Sequence, residues 1–282
     1  MTKKKTIVLF KKKDTVDEYH DLFLERGYVP QFIPVLDHET KNIEAIKDML
    51  LLGPHQANFN GLILTSQRSV QAMSEAFNLL LQQGLSLSEQ VVSDWNALPV
   101  YMVGPQTAKV LSQFALFNTG HNHNWNIYPR AAELIQPLID GQQKFNGQGR
   151  LLFLAGDKRR DLIPTELARA QLAVYELQSY ATCVHADLSQ AMQNFCIPDW
   201  LVYFSPSGLK FLLSCVDSET RQNLLAACQK RKTPYTKIAA IGPTTFEYIH
   251  EELGLQSDVV AKEPDALHLV NDIIHFDKLF CS

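Results

Sequence analysis

The sequence predicts an α/β protein made of two parallel-sheet units. Short apolar runs of strand length alternate with amphipathic helical stretches along the chain, the pattern of parallel sheets covered by helices. Residues 237–255, KIAAIGPTTFEYIHEELGL, read as strand, Gly-Pro turn and helix, and residues 101–116, YMVGPQTAKVLSQFAL, follow the same plan. The two halves also keep their spacing. Ile7 to Leu36 and Leu151 to Tyr180 are each 29 positions apart (36 − 7 and 180 − 151), and Ser66 to Gly104 is 38 where Ser205 to Gly242 is 37. An internal repeat of this size makes two units of a 282-residue chain.

In chain order, Thr6–Phe10 is the first strand. Residues 14–26 form an amphipathic helix with Tyr19, Leu22, Phe23 and Leu24 in its apolar set and Gly27 at its end. Residues 29–36 are extended, and Pro30 and Pro34 suit an edge strand or connector because proline cannot donate to a ladder. A helix over 44–52 precedes a strand at 61–65, which leads into Ser66-Gln67-Arg68-Ser69. Val70, Met73, Phe77 and Leu80 then recur at helical spacing. Residues 84–96 are polar, helical or loop. In the Gly104 unit, Ala108, Leu111 and Ala115 share a helical face. Residues 117–125 are polar and irregular, 131–140 helical, and 144–149 a loop.

The pattern then restarts. A strand at 151–154 runs into Gly156-Asp157-Lys158-Arg159-Arg160-Asp161, followed by a helix at 163–170, an extended segment at 172–183 and a helix at 187–195. A strand at 200–204 leads to Ser205-Pro206-Ser207-Gly208, and Leu209, Leu212, Leu213 and Val216 mark its helix. In the Gly242 unit the spacing predicts a capping box, with the Thr244 hydroxyl accepting from the Glu247 amide, an apolar face of Phe246, Ile249 and Leu253, and Gly254 as the stop. The last helix covers 265–274.

Composition excludes several classes. The chain is 46% hydrophobic and 20% charged with a net charge of −4, so no global basic field points to nucleic acid. The apolar core of MTKKKTIVLFKKK is too short for a signal peptide, and no run approaches a membrane span. Five cysteines, an odd number without CxxC, read as reduced thiols in the cytosol. His121-Asn122-His123 has no nearby carboxylate or thiol, so a solvated loop is favoured over a metal site.

Ligands of parallel sheets bind at the carboxyl ends of strands, and a helix opening there offers free N–H groups to anions. The repeat supplies four such tips in two pairs: Ser66 with Ser205, and Gly104 with Gly242. If the units face each other, these tips and the charged turns border one cleft, suited to a large ligand with several anionic groups. Neither GxGxxG nor GxxxxGK[ST] is present, so dinucleotide and nucleoside triphosphate binding are unsupported.

Five motifs occur in order: Leu64-Thr65-Ser66-Gln67-Arg68-Ser69-Val70, Val103-Gly104-Pro105-Gln106-Thr107-Ala108, Ala155-Gly156-Asp157-Lys158-Arg159-Arg160, Phe204-Ser205-Pro206-Ser207-Gly208 and Ala240-Ile241-Gly242-Pro243-Thr244-Thr245. Together they resemble the uroporphyrinogen-III synthase family over essentially the whole chain. The resemblance implies a cytoplasmic, cofactor-free lyase that cyclises linear hydroxymethylbilane to uroporphyrinogen III, with loss of water and inversion of ring D. It implies a monomer that takes its substrate by handover from hydroxymethylbilane synthase and has no nucleic-acid or membrane partner. The implied fold is two HemD-like, flavodoxin-like domains joined by a two-stranded β-ladder linker. Domain 1 would be 1–37 with 183–282 and domain 2 would be 41–178, with linkers near 36–41 and 177–184. The sequence alone also allows a tandem split near 146.

By the same resemblance, Tyr180 in Leu177-Gln178-Ser179-Tyr180 is the candidate acid, since a phenol stays protonated at neutral pH and can donate. Tyr175 is the weaker alternative. Thr65, Ser66, Gly104, Thr107, Ser205, Ser207, Gly208, Gly242, Thr244 and Thr245 are candidate binders of substrate carboxylates, through hydroxyls or adjacent amides. Helix capping is the structural role of the same groups, and the two are compatible. Arg68, Lys158, Arg159, Arg160 and Lys237 add charge, although a solvated surface role is the safer reading for any one of them. The alternative function is a non-catalytic tetrapyrrole or polyanion sensor of the same fold.

Overall fold

The computed structural model describes residues 4–118, 124–143, 148–193, 195–229 and 235–280. His121-Asn122-His123, Cys281 and residues 144–147 lie outside them. In chain order the elements are β1 (Thr6–Phe10), α1 (Glu18–Glu25), β2 (Val29–Phe32), β3 (Leu36–Thr40), α2 (Ile43–Gln56), β4 (Phe59–Leu64), α3 (Gln67–Gln82) and α4 (Glu89–Ala97). Next come β5 (Val100–Val103), α5 (Pro105–Gln113), β6 (Trp125–Tyr128), α6 (Ala131–Gln143), β7 (Arg150–Gly156), α7 (Leu162–Arg169), β8 (Val174–Val184) and α8 (Leu188–Gln193). The chain closes with β9 (Trp200–Tyr203), α9 (Pro206–Cys215), α10 (Ser218–Ala227), β10 (Lys237–Ala240), α11 (Pro243–Leu253), β11 (Val259–Val260) and α12 (Ala266–Phe280).

The chain divides into two compact units. Unit 1 is Met1–Asp37 with Cys183–Ser282, and unit 2 is His38–Thr182. The sheet of unit 1 has the order β11-β10-β9-β1-β2 and is parallel throughout. Its strands are apolar on both faces, as a sheet covered on two sides requires. Val8, Phe10, Leu201, Tyr203, Ile238 and Ala240 pack against α8, α9, α10 and α11 through Leu188, Leu209, Leu212, Leu224 and Ile249. On the other face Ile7, Leu9, Trp200, Val202 and Ala239 meet Phe23 of α1 and Leu269, Val270 and Ile273 of α12.

The sheet of unit 2 has the order β3-β8-β7-β4-β5-β6, and β8 through β6 are parallel. Leu62, Leu64, Met102, Leu152 and Leu154 pack on α2 to α5 around buried Trp95, whose indole N–H donates to the Leu50 carbonyl at 3.1 Å. Ile63, Tyr101, Leu151 and Phe153 cover α6 and α7 through Leu134, Leu138, Ile163 and Leu167.

Several local expectations change. The extended segment 29–36 holds β2, an edge strand, and the first residue of β3. The helix over 44–52 matches the straight part of α2, which breaks at Gly53 (φ 78°) before Pro54. Leu24 is exposed because α1 turns only Phe23 fully inward, and Ala115 is exposed beyond the end of α5. The sequence reading missed β6, β11 and α10. The two strands are very short, and α10 buries Leu224 alone. Among the described residues no helix is long and apolar enough to cross a membrane.

Candidate functional site

The carboxyl edge of the unit 2 sheet gathers the ends of β4, β5, β7 and β8. Thr65 and Ser66 follow β4. Ser66 caps α3, accepting from the Arg68 amide at 3.2 Å, and the Arg68 guanidinium donates to Gln71 Oε1 at 3.0 Å. Gly104 follows β5 with φ 81°, a left-handed conformation that glycine adopts without penalty. Pro105 takes the first helical position, and among the described residues no side chain caps α5. Thr107 is buried, and its hydroxyl donates back to the Val103 carbonyl at 2.8 Å. That hydroxyl stabilises the turn, and only the amides of this tip remain for an anion.

The turn after β7 carries Lys158, Arg159 and Arg160. Arg159 bonds to Glu176 and, at 2.6 Å, to Asp161, and these two carboxylates raise its pKa, Glu176 first. This guanidinium is engaged with carboxylates of the chain. Lys158 and Arg160 are exposed on the same turn.

Tyr180 ends the β7–β8 ladder opposite Gly156, with its ring centroid 5.8 Å from that of His38. Tyr175 pairs with Leu152, lower on the same strand, and stacks with the Arg150 guanidinium at 4.7 Å and with Phe59. Five residues of strand put it about 17 Å from Tyr180, toward the amino edge of the sheet. The two tyrosines therefore lie near opposite ends of the β7–β8 pairing.

The carboxyl edge of unit 1 has its own pair of tips. Ser205 caps α9, accepting from the Gly208 amide at 3.0 Å, with Ser207 Oγ 3.5 Å from its hydroxyl. Gly208 is buried, and a Cβ there would lie 3.0 Å from Val35 Cγ2 and 3.1 Å from Ser205 Oγ. Its amide donates to Ser205, and packing against Val35 uses its lack of a side chain. Gly242 is extended (φ 178°), Pro243 opens α11, and no side chain caps that helix. The expected capping box is absent because the helix starts at Pro243, which places Thr244 inside its first turn; Thr244 is exposed and Thr245 buried. Gly254 stops the helix in the left-handed region as expected.

A cluster at this edge escaped the sequence reading. Lys11, just after β1, bonds through Nζ to Asp17 at 2.5 Å and Asp14 at 3.1 Å and lies over the rings of Tyr19 and Phe32. Burial opposes ionisation of Asp17, but the Lys11 ammonium and the amides of Asp14 and His20 outweigh it and lower its pKa. Burial, with the charges of Asp265, Asp17 and Glu18, pushes the Tyr19 phenol up to about 12. His268 pairs with Asp265 at 2.7 Å, and that bond raises its pKa. The signal was available: Lys11 to Asp14 directly follow the first strand, much as Lys158 to Asp161 follow β7. Glu263, Asp265 and His268 place ligand atoms within 4.8 Å of one another. Both Asp265 oxygens already serve His268, one on its amide and one on its ring.

Lys237 is not with the others. It begins β10, at the amino edge, whereas Gly242 follows the strand's other end. Its Nζ is 3.7 Å from Asp277 Oδ1 and lies over the Trp200 ring. Asp277 is buried and also binds Lys5 at 2.9 Å, the Trp200 indole N–H at 3.1 Å and the Tyr28 hydroxyl. Burial disfavours its charge, yet the bonds from Tyr28, Lys5 and Trp200 and the charge of Lys237 prevail and hold the carboxyl below its ordinary range. Lys237 thus stands apart from the other candidate cations, paired with Asp277 at the amino edge.

Comparison with known proteins gives the family and the fold. Uroporphyrinogen-III synthase of Saccharomyces cerevisiae is 29% identical over 286 aligned residues, covering 96% of this chain and 97% of that protein. Its Schizosaccharomyces pombe counterpart is 29% identical, covering 97% and 98%. The crystal structure of uroporphyrinogen-III synthetase from Helicobacter pylori shares the fold with a TM-score of 0.54 at 18% identity, covering 97% of this chain and 99% of that one. A family model described as uroporphyrinogen-III synthase HemD matches residues 17–271. Matched over nearly its whole length, the chain belongs to the uroporphyrinogen-III synthase HemD family.

Proposed function

We propose that the protein cyclises hydroxymethylbilane to uroporphyrinogen III, inverting ring D and releasing water. The observation that carries this reading is the family match across residues 17–271. The pyrrole nitrogen pushes out the terminal hydroxyl and leaves an azafulvene cation. The protein's tasks are to donate a proton or hydrogen bond to the departing oxygen and to fold the chain so that ring D is attacked at its substituted carbon. Unassisted closure gives the uninverted isomer, so positioning matters more than acid strength.

In this reading Tyr180 donates to the leaving hydroxyl. The substrate's acetates and propionates are held by the tips at Thr65-Ser66, Gly104-Thr107, Ser205-Ser207 and Gly242-Thr244-Thr245, with Arg68, Lys158 and Arg160 adding charge. An exposed helix terminus gives an anion only about 0.3–1 kcal/mol, so several must act together. The uncapped first turns at Gly104 and Gly242 support this reading. The two units are taken as domains related by an internal duplication, with β3 and β8 as a two-stranded linker. The enzyme is taken as a cytoplasmic, cofactor-free monomer that receives its substrate from hydroxymethylbilane synthase.

The test is to supply freshly made hydroxymethylbilane and separate the product isomers. Uroporphyrinogen III in excess over the no-enzyme control is expected. Tight binding of tetrapyrrole with only the spontaneous isomer formed would point to the sensor reading instead.

A further inference from the structure

The β7–β8 ladder changes register one residue before Tyr180. Ala155 pairs with Gln178, but Gly156 pairs with Tyr180, so Ser179 is an extra residue in β8. Such a bulge bends its strand and re-aims the neighbouring side chain. Here it is held from several directions. Ser179 is fully buried, and its hydroxyl lies 3.2 Å from both Ser69 Oγ and the Ala155 carbonyl. Ser69, on the first turn of α3, donates in turn to the Leu154 carbonyl at 2.7 Å. On the far side the Lys41 amide donates to the Ser179 carbonyl at 2.9 Å, and Asn42 Nδ2 to the Gln178 carbonyl at 2.8 Å. Beyond the bulge the Asp157 amide donates to the Tyr180 carbonyl at 3.2 Å, and Asp157 Oδ1 accepts from the Thr182 amide and hydroxyl at 3.1 and 3.3 Å.

With its backbone pinned, the Tyr180 ring lies over Gly156. A Cβ built on Gly156 would fall 2.3 Å from Tyr180 Cζ and 2.5 Å from its hydroxyl oxygen. The φ of Gly156 is not in the left-handed region, so alanine suits the backbone there. The atoms it would strike are the far end of a rotatable side chain. Alanine at this position therefore displaces the phenol and leaves the fold intact.

We propose that Gly156 and the Ser179 bulge are positioning residues that set the place of the Tyr180 phenol for turnover. This rests on the reading of Tyr180 as the group that donates to the substrate. The bulge fixes where the strand presents residue 180, and the missing side chain at 156 leaves the ring its resting place. Ser69 links this register to the same helix turn that Ser66 caps.

The experiment uses the full chain with isotopically labelled tyrosine. The Tyr180 ring resonance is assigned by its loss in Tyr180→Phe. Gly156→Ala should keep the wild-type circular dichroism spectrum, shift the Tyr180 resonance, and lower kcat by about 10²-fold with KM little changed. In the Tyr180→Phe background the same substitution should change kcat by less than about twofold, because no phenol remains to be misplaced. An unmoved resonance, an unchanged kcat, or effects that multiply in the double variant would overturn the proposal. Full activity in Tyr180→Phe would remove the phenol from the reaction, and the role given to Gly156 with it; the resonance would still report whether Gly156 places the ring. Should Gly156→Ala not fold, Ser179→Ala reads the same signal, with a shifted resonance and about a tenfold fall in kcat expected. Wild-type values for both in Ser179→Ala would count against the bulge.

Discussion

At the amino edge of the unit 1 sheet, Lys5 and Lys237 converge on buried Asp277, which also binds Trp200 and Tyr28. At the carboxyl edge of the same sheet, Gly242-Pro243 opens α11 with no side chain capping it. Unit 2 repeats the second situation at Gly104-Pro105. The polar groups of the amino-edge cluster satisfy one another, whereas among the described residues no side chain caps the first turns of α5 and α11. A buried ion cluster of the first kind serves stability, because removing one member strands the rest. Uncapped first turns of the second kind contribute little to stability and are available to an anion. Loss of the Asp277 carboxylate should therefore alter stability without altering turnover, and loss of the Tyr180 phenol at the carboxyl edge of unit 2 the reverse.

The largest departure from this rule, if it is wrong, would come at Tyr180. Tyr180→Phe removes one hydroxyl and little volume. The expected result is an unfolding midpoint close to wild type and turnover lower by about 10²–10⁴-fold, measured as formation of the inverted isomer. Unchanged turnover would mean that the carboxyl edge of unit 2 does not supply the donor.

Asp277→Asn probes the opposite edge. It leaves Lys237 with no partner carboxylate in a nearly closed site and Lys5 in a more open one, so a loss of about 3 kcal/mol in denaturant unfolding is expected. Turnover per folded molecule should stay at wild type. The pH dependence carries a definite sign. The carboxyl is held below its ordinary range in the folded chain, so its contribution is present above the unfolded value, about 3.9. It is lost as pH falls through the lowered folded value, and the stability curves of wild type and variant should converge in acid. A gap that persists there would deny Asp277 its charge-based role.

Gly104→Ala and Gly242→Ala separate the two tips from each other. A side chain at φ 81° is strained, so Gly104→Ala should cost about 1–2 kcal/mol. Gly242 is extended, and nothing lies within 4 Å of a Cβ there, so its alanine variant should match wild-type stability. Equal losses at both positions would show that the tips are more alike than their backbones indicate. The smallest effect is expected at Tyr175→Phe. Its ring stacks on Arg150 and Phe59 far from Tyr180, so stability and isomer yield should both be unchanged within error.

Local chemistry was legible in the chain because it depends on neighbours in sequence. The strands β1, β4, β7 and β9 carry the apolar runs 7–10, 62–64, 151–155 and 200–203. Ser66 and Ser205 stand where a capping side chain reaches an amide two or three residues on, and Gly254 ends α11 as its sequence indicates. The missed elements carry weak local signals: β11 has two residues, β6 has four, and α10 has one buried side chain. Thr244 shows the limit of a motif, since Thr-x-x-Glu matched a capping box while Pro243 had already begun the helix.

The sequence by itself determined the alternation of strands and helices, the four tips and the presence of a tyrosine on an extended segment after the charged turn. Only the tertiary structure decided which strands share a sheet, and with that which end of each strand a residue occupies. Lys237 and Gly242 are five positions apart, yet they lie on opposite edges of the unit 1 sheet. Lys237 meets Asp277 across 40 positions of chain, and Arg159 meets Glu176 across 17. The bulge at Ser179 and the space over Gly156 likewise arise from the pairing of β7 with β8. The physical reason is range: helix caps, turns and apolar periodicity are set by residues a few positions apart, whereas ion pairing, register and edge are set by contacts that form only once distant strands are aligned.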